Sequence, residues 1–239
     1  YTGWYTLSLH DALPISNDSS ISLEGEEFHH LAHVKRIGIG QRVILNNGKG
    51  LVAEAIIKEL TKKSALLEIV SKQQSIYPET NFAIAFALLK NKHDELLIEK
   101  CTELGAKTFI PLMTDFSVRN PSANTVSRFQ RIALAAIKQC DNPWLPDIKT
   151  PQELDKALDI MIEIGYKPVL CSEKMPEARL LDLPQLQKPC FIVGPEGGFS
   201  EAEFSLFARR DVVQISICNL ITRAETAAMA IAAQFAGLT

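Results

Sequence analysis

The chain of 239 residues is long enough for one large domain or two smaller ones, and its hydrophobic content of 46% is sufficient for a full core. A net charge of -3 excludes a protein that binds polyanions with its whole surface, and no apolar run is long enough to span a bilayer. Five scattered cysteines without a Cys-x-x-Cys pair favour reduced core thiols, which predicts a cytoplasmic protein.

Residues 1–16 show no clear hydrophobic period, and they are too polar for the core of a signal peptide. We interpret this segment as non-native or disordered and leave it out of the fold prediction. The chain's histidine cluster, at positions 29, 30 and 33, has no cysteine nearby. We therefore predict no metal site there.

Residues 17–72 are rich in predicted strands. An apolar strand at 43–45 is followed by Asn46-Asn-Gly-Lys-Gly50, which is a strong hairpin signal, and further strands are predicted at 51–60 and 65–70. Short strands joined by turns over this length are typical of a small β-barrel. The sequence thus predicts an N-terminal barrel domain at 17–72.

This first region carries a local excess of positive charge. Between residues 28 and 63 there are seven lysines and arginines against two glutamates. Such an excess is the electrostatic footprint of a protein that binds a phosphate backbone, and Lys35, Arg36 and Arg42 are the candidate contacts. A solvated barrel surface without RNA explains the charge equally well.

From residue 73 to 239, apolar strands alternate with amphipathic helices. Strands are predicted at 82–89, 108–112, 168–171, 190–193 and 212–217. A helix is expected to begin near Ser127, and three others to begin with capping boxes at Thr150/Glu153, Ser200/Glu203 and Thr222/Glu225. This alternation predicts an α/β domain with a mostly parallel sheet.

Two loops in this second region are candidates for a ligand site. Residues 194–199 and 218–223 each follow an apolar strand and precede a predicted helix. Gly197 and Gly198 lack a Cβ, so their backbone can approach a ligand closely. No dinucleotide-binding, P-loop or nucleophile-elbow motif is present. We predict that the two loops meet at the carboxyl edge of the sheet, where open α/β sheets bind ligands.

Four motifs give the sequence a family resemblance. They are Gly194-Pro-Glu-Gly-Gly198, Arg223-Ala-Glu-Thr-Ala227, Lys100-Cys-Thr-Glu-Leu-Gly105 and His30-Leu-Ala-His-Val-Lys-Arg-Ile-Gly38. Together they resemble the RsmE-type 16S ribosomal RNA uridine-N3 methyltransferases, which belong to the SPOUT superfamily of α/β-knot enzymes. The resemblance spans roughly residues 24–236.

The resemblance implies a fold, a reaction and partners. The expected fold is an N-terminal PUA-like β-barrel that helps to hold RNA, followed by a SPOUT α/β domain with a deep trefoil knot. The expected reaction is methylation of uridine N3 in small-subunit ribosomal RNA, with S-adenosylmethionine as the methyl donor and no metal. The expected assembly is a homodimer that acts on this RNA or on the assembled 30S subunit.

The resemblance also assigns residues to the site. Residues expected around the cofactor are Cys171, Gly194, Pro195, Gly197, Gly198, Ile217, Cys218, Leu220 and Thr222. Arg223 is expected to stabilise the uracil anion or to fix the uridine phosphate. Glu196 and Glu225 are the other catalytic candidates, although Glu225 would equally fit a helix cap and Glu196 a contact within its own loop.

Three positions depart from the family pattern. Cys218 stands where glycine is usual, and Phe116 and Asn142 stand where arginine is common. The last two changes remove positive charge from an expected RNA face, for which Arg119 would compensate. Two alternatives therefore stay open, namely a SPOUT enzyme that methylates a ribose 2′-hydroxyl and an RNA-binding assembly factor without catalytic activity.

Overall fold

The computed structural model describes residues 5–8, 19–29, 31–32, 37–172, 174, 177–183 and 186–237. The chain divides into two compact units. The first contains residues up to Tyr77 together with Ile137–Leu145, and the second contains Pro78–Ala136 and the chain from Pro146 onwards. Among the described helices, none is both long and apolar enough to cross a membrane.

The first unit is built on a five-stranded sheet. Its elements are β1 (Tyr5–Ser8), β2 (Ser20–Glu24), α1 (Gly25–His29), β3 (Arg42–Asn46), β4 (Leu51–Leu60) and β5 (Ser64–Gln74). The strand order is β1-β3-β4-β5-β2, and the pairs are antiparallel except for β1 with β3. Alternate residues on β4, such as Ala53, Ala55 and Ile57, are buried in the core of this unit.

The predicted hairpin between β3 and β4 is confirmed. The Asn46 side-chain oxygen accepts a hydrogen bond from the Gly48 amide at 2.7 Å, and Gly48 and Gly50 both have positive φ. A strand at Tyr5–Ser8 was not expected, because the leading segment had been left out of the prediction. It pairs with β3 so that Tyr5 lies beside Val43, and the other residues of 1–16 lie outside the described part of the chain.

A later segment also belongs to the first unit. The Asn46 side-chain nitrogen donates to the Asn142 carbonyl at 2.7 Å, the Gly50 amide donates to Pro143 at 2.9 Å, and the Leu145 amide donates to Gly48 at 2.8 Å. The sequence predicted a single boundary after residue 72. Hydrogen bonds between residues about 95 positions apart carry no local sequence signal, so this return of the chain could not be anticipated.

The second unit is built on a seven-stranded sheet with helices. The strands are β6 (Ala83–Ala87), β7 (Thr108–Met113), β8 (Asp147–Ile148), β9 (Gln152–Glu153), β10 (Lys167–Cys171), β11 (Pro189–Val193) and β12 (Val213–Ile215). The helices are α2 (His93–Glu103), α3 (Thr125–Gln139), α4 (Leu154–Glu163), α5 (Glu201–Arg209) and α6 (Ala224–Ala236). The expected parallel α/β architecture is thus confirmed.

The sheet runs in the order β12-β10-β11-β6-β7-β8, with β9 also paired to β7, and every pair in it is parallel. All residues of β6 and β11 are buried, as is typical of strands covered on both faces. Because the pairs are parallel, the carboxyl ends of β10, β11 and β12 lie at one edge of the sheet.

The predicted helix starts had mixed outcomes. Ser200 and Glu203 form the expected capping box of α5. The box at Thr150/Glu153 is wrong, because Gln152 and Glu153 pair with β7 and α4 begins only at Leu154. The helix expected near Ser127 is present, but it begins at Thr125, so Ser127 lies within α3 and does not cap it. At Thr150/Glu153, the pairing of Gln152 and Glu153 with β7 overrode the local capping signal.

A buried ion cluster lies at the start of α2. The Asp94 carboxylate is fully buried and accepts a hydrogen bond from Arg119 at 2.6 Å, while Arg128 lies 3.6 Å away. Burial raises the pKa of the Asp94 carboxyl above its usual value, and the two guanidinium groups oppose part of that shift. Such a cluster is stable only while its charges stay paired.

We predict that Asp94→Ala lowers the free energy of unfolding by about 3 kcal/mol, because it leaves the half-buried Arg119 without its counter-charge and Arg128 with Glu95 alone. Chemical denaturation of the purified protein measures this. Arg210→Ala is the matched control, since Arg210 forms exposed ion pairs with Asp155 and Asp159 and its loss should change little. Equal effects from the two substitutions would contradict a buried cluster.

Candidate active site

A cavity of about 450 Å³ opens at the carboxyl ends of β10, β11 and β12. Every residue that the resemblance assigns to a cofactor lines it, together with Glu196 and Arg223. Further lining residues are Ser172, Val193, Ser216, Ile221, Ala224 and Ala227. The two loops that the sequence singled out therefore meet in one cavity of the second unit.

The first loop, residues 194–199, is a tight turn whose glycines are needed for packing as well as for access. Gly198 has a φ of +71°, and its amide donates to the Pro195 carbonyl at 2.9 Å. A Cβ on Gly194 would lie 2.8 Å from the Phe199 ring. A side chain at either glycine would therefore strain or displace the turn.

Glu203 fixes this loop to the loop that follows β7. Its buried carboxylate accepts hydrogen bonds from the Ser200 amide at 2.8 Å and from the Asp115 amide at 3.0 Å. The Ser200 hydroxyl in turn donates to the Asp115 carboxylate at 2.5 Å. The sequence predicted only the helix cap, because the contact with Asp115 joins residues 88 positions apart.

The second loop, residues 216–223, is held by its own polar groups. The Ser216 hydroxyl donates to the Cys218 carbonyl at 3.1 Å, and the Cys218 thiol donates to the Leu220 carbonyl at 3.0 Å. The Gln234 side chain on α6 donates to the Ile217 carbonyl at 3.2 Å. The thiol of Cys218 is therefore hydrogen-bonded within its own loop, although Cys218 also lines the cavity.

Arg223 precedes α6 and lies at the edge of the cavity with an exposed side chain. The predicted capping box of Thr222 with Glu225 is wrong, because the helix begins at Ala224 and Arg223 takes the N-cap position without a side-chain cap. Glu225 is instead only 6% exposed, and its carboxylate lies 3.0 Å from Nδ1 of His93. Glu225 therefore positions His93 and does not line the cavity.

The other carboxylate that the sequence proposed, that of Glu196, does line the cavity. It accepts a hydrogen bond from the Lys90 amide at 3.2 Å, so it is tied to the loop after β6 and not to its own loop. Burial raises the pKa of the Cys171 thiol, so this cavity residue is neutral at physiological pH. Among the described residues, no group of side chains is arranged to hold a metal ion.

Two protein-family models match the chain. A family model described as "RNA methyltransferase domain" matches residues 77–236, more than half of the chain, and one described as "RNA methyltransferase PUA domain" matches residues 23–70. The chain belongs to the RNA methyltransferase family. The match to the PUA domain also confirms the expected nature of the N-terminal sheet.

Curated members of this family are similar to the chain over most of its length. "Ribosomal RNA small subunit methyltransferase E" of Synechocystis sp. is 33% identical over 92% of this chain and 74% of its own. The protein of the same name from Bacillus subtilis is 27% identical over 89% of this chain and 88% of its own.

A solved structure with the same fold is that of Ribosomal RNA small subunit methyltransferase E from Neisseria gonorrhoeae, which was crystallised bound to S-adenosyl methionine. It has a TM-score of 0.86 at 23% identity and covers 98% of both chains. The likeness shows that the two chains share a fold.

Two of the four RNA-binding candidates, Arg42 and Arg119, lie within the described part of the chain. Lys35 and Arg36 lie outside the described residues, and Arg42 forms an ion pair with Glu54. Arg119 is bound to the buried carboxylate of Asp94, which gives it a structural role in the second unit. No observation tests their contacts with RNA, so these assignments stay predictions.

The structure shows the contacts of two residues that depart from the family pattern. Phe116 packs against the glycine loop, since a Cβ on Gly197 would lie 3.2 Å from the Phe116 Cβ. The Asn142 side chain accepts a hydrogen bond from the Trp144 amide at 3.0 Å. Both residues therefore shape loops of this RNA methyltransferase. The sequence indicated only a loss of positive charge at these positions and gave no sign of this packing.

We predict that Glu203→Ala lowers the free energy of unfolding by about 2 kcal/mol, because two partly buried amides lose their acceptor. Hydrogen exchange at the Ser200 and Asp115 amides should accelerate together. Glu201→Ala is the matched control, because Glu201 lies on the same helix turn with its side chain 90% exposed. Unchanged exchange at Asp115 in Glu203→Ala would contradict the link between the loops.

Proposed function

We propose that the protein is an S-adenosylmethionine-dependent methyltransferase that methylates N3 of a uridine in small-subunit ribosomal RNA. The observation that carries the proposal is the meeting of the 194–199 and 216–223 loops in one cavity that contains every expected cofactor residue. Membership of the RNA methyltransferase family and the names of its relatives, which are small-subunit ribosomal RNA methyltransferases, support methylation of the same RNA.

The residues around the cavity fit S-adenosylmethionine. The volume of the cavity, about 450 Å³, lies in the range of small-molecule sites. Val193, Ile217 and Leu220 offer apolar surface for the adenine ring, and the backbone groups of both loops offer donors and acceptors. Glu196 is the acidic side chain in the lining and complements the positive charge of the donor.

The bound donor would supply an electrophilic methyl group on a sulfonium. The task of the protein is then to orient a uracil while its N3 proton passes to solvent water. Arg223, which is exposed at the cavity edge, stabilises the negative charge that develops on the uracil as this proton departs. Glu196 contributes through the position of the loop, and Glu225 through His93.

The proposed function also implies an RNA substrate, a cellular compartment and an oligomeric state. The substrate is free ribosomal RNA or the assembled 30S subunit, which the PUA-type unit helps to hold, and the protein acts in the cytoplasm. The second unit contains a trefoil knot, and two copies of the chain form a homodimer. Ile221 supports a dimer because it is 81% exposed at the mouth of the cavity, where a second copy would cover it.

We predict that the wild-type protein binds S-adenosylmethionine in calorimetry and that Gly198→Val weakens this binding by at least tenfold, because a side chain at positive φ distorts the loop that lines the cavity. Gly165→Val is the matched control. Gly165 has a φ of +85° and does not line this cavity, so its substitution brings similar strain without touching the site.

Calorimetry also separates the classes of function. No binding by the wild-type chain would support an assembly factor without catalytic activity. Equal loss of affinity in the two glycine variants would mean that the effect reports general strain and would remove the 194–199 loop from the site.

We predict that Arg223→Ala lowers kcat by about 100-fold and shifts the melting temperature by less than a few degrees, because the side chain stabilises a developing charge and is exposed in the fold. Arg209→Ala, which removes an exposed arginine from the end of α5, should leave both quantities unchanged. Loss of stability in parallel with activity would assign Arg223 a structural role.

The methylated atom is identified by mass spectrometry of nucleosides from treated ribosomal RNA. A methyl group on N3 of uracil is the expected product. A methyl group on a ribose 2′-oxygen would support the alternative SPOUT activity and would contradict the role given to Arg223.

A further inference from the structure

Phe116 is an exposed aromatic side chain at the border of the cavity. It is 48% exposed, and it follows β7 at the same carboxyl edge of the sheet from which the cavity opens. Its Cβ abuts Gly197, which lines the cavity. The exposed ring is therefore accessible to a molecule that is held at the cavity.

The loop that carries Phe116 is held in one conformation. The Thr114 amide donates to the Ser117 hydroxyl at 3.2 Å, and the Ser117 amide donates to the Thr114 carbonyl at 3.0 Å. The Asp115 amide is bound to the buried carboxylate of Glu203 at 3.0 Å. The ring is therefore presented from a fixed backbone, which lowers the entropic cost of contacting a ligand.

The adjacent loop, after β6, adds positive charge. Lys90 and Lys92 are exposed, and Asn91 and Lys92 have left-handed backbone with φ of 51° and 63°. The Lys90 amide binds Glu196, so this loop is connected to the glycine loop. Arg223 supplies a further exposed cation at the cavity edge. The acids nearby, Glu196 and Asp115, are both engaged in hydrogen bonds within the protein.

We propose that Phe116 stacks on a base of the RNA substrate beside the methyl-transfer site, while Lys90 and Lys92 contact the adjoining phosphates. The inference rests on the proposed function and adds to it a residue that binds the substrate. An aromatic face next to exposed lysines is the combination that single-stranded nucleic acid requires, because bases stack on the ring and phosphates pair with the cations. A protein partner would explain the ring but not the cations.

The first experiment compares Phe116→Leu with Phe116→Trp. Leucine keeps an apolar side chain against Gly197 but has no aromatic face, whereas tryptophan restores one. We expect KM for ribosomal RNA to rise roughly 10- to 100-fold in Phe116→Leu and to be rescued in Phe116→Trp. The affinity for S-adenosylmethionine should stay at the wild-type value in Phe116→Leu. Ile162→Ala, at an exposed apolar position on α4, should change neither quantity.

The second experiment reads stacking directly. The fluorescence of the added tryptophan in Phe116→Trp, taken as the difference from wild type, should be quenched by a uridine-containing oligonucleotide. Addition of S-adenosylmethionine alone should not quench it. This measurement needs no methyl transfer, so it tests Phe116 even if the reaction proposed above proves wrong.

Three results would overturn the inference. The first is an unchanged KM for RNA in Phe116→Leu together with no quenching in Phe116→Trp. The second is an equal rise in KM for both variants, which would indicate a steric role. The third is a change of sedimentation coefficient in Phe116→Leu, which would place Phe116 in a contact between copies of the chain. A wild-type protein that binds no S-adenosylmethionine would refute the proposed function. The quenching result alone would then test whether Phe116 stacks on a base.

Discussion

The parallel pairing of β11 with β10 on one side and β6 on the other is the constraint on which the site depends. Parallel strands end at the same edge, so the loops that follow them must share that edge. The glycine loop after β11 consequently lies between the loop after β6 and the loop that follows β12. Every residue of β6 and β11 is buried, so both strands are fixed in the packed core and this edge is held in place.

Glu203 extends this constraint from the sheet to the loops. A carboxylate at the N-terminus of α5 is favoured by the helix dipole, and here it also satisfies amides of two different loops. The glycine turn and the turn that carries Phe116 are thus parts of one hydrogen-bonded unit. A site fixed in this way loses little entropy on binding, which suits a methyl transfer that depends chiefly on alignment.

Two of the three departures from the expected family pattern lie at or beside the cavity. Cys218 satisfies its thiol on the Leu220 carbonyl, and Phe116 replaces a charge with an aromatic face beside Gly197. Phosphate attraction near the site can instead come from Lys90 and Lys92, which are exposed on the neighbouring loop. The border of the cavity thus carries an exposed aromatic ring and two exposed lysines on neighbouring loops.

The sequence by itself determined the α/β class, the 46–50 hairpin, the Ser200/Glu203 cap and the loops of the cavity, because hydrophobic period and turn chemistry are local properties. Only the tertiary structure decided that Gln152 and Glu153 join the sheet, that residues 137–145 return to the first unit, and that Glu225 pairs with His93 while Glu203 holds Asp115. These contacts join residues far apart in the chain, and a polar side chain gives no local signal of which distant partner will satisfy it.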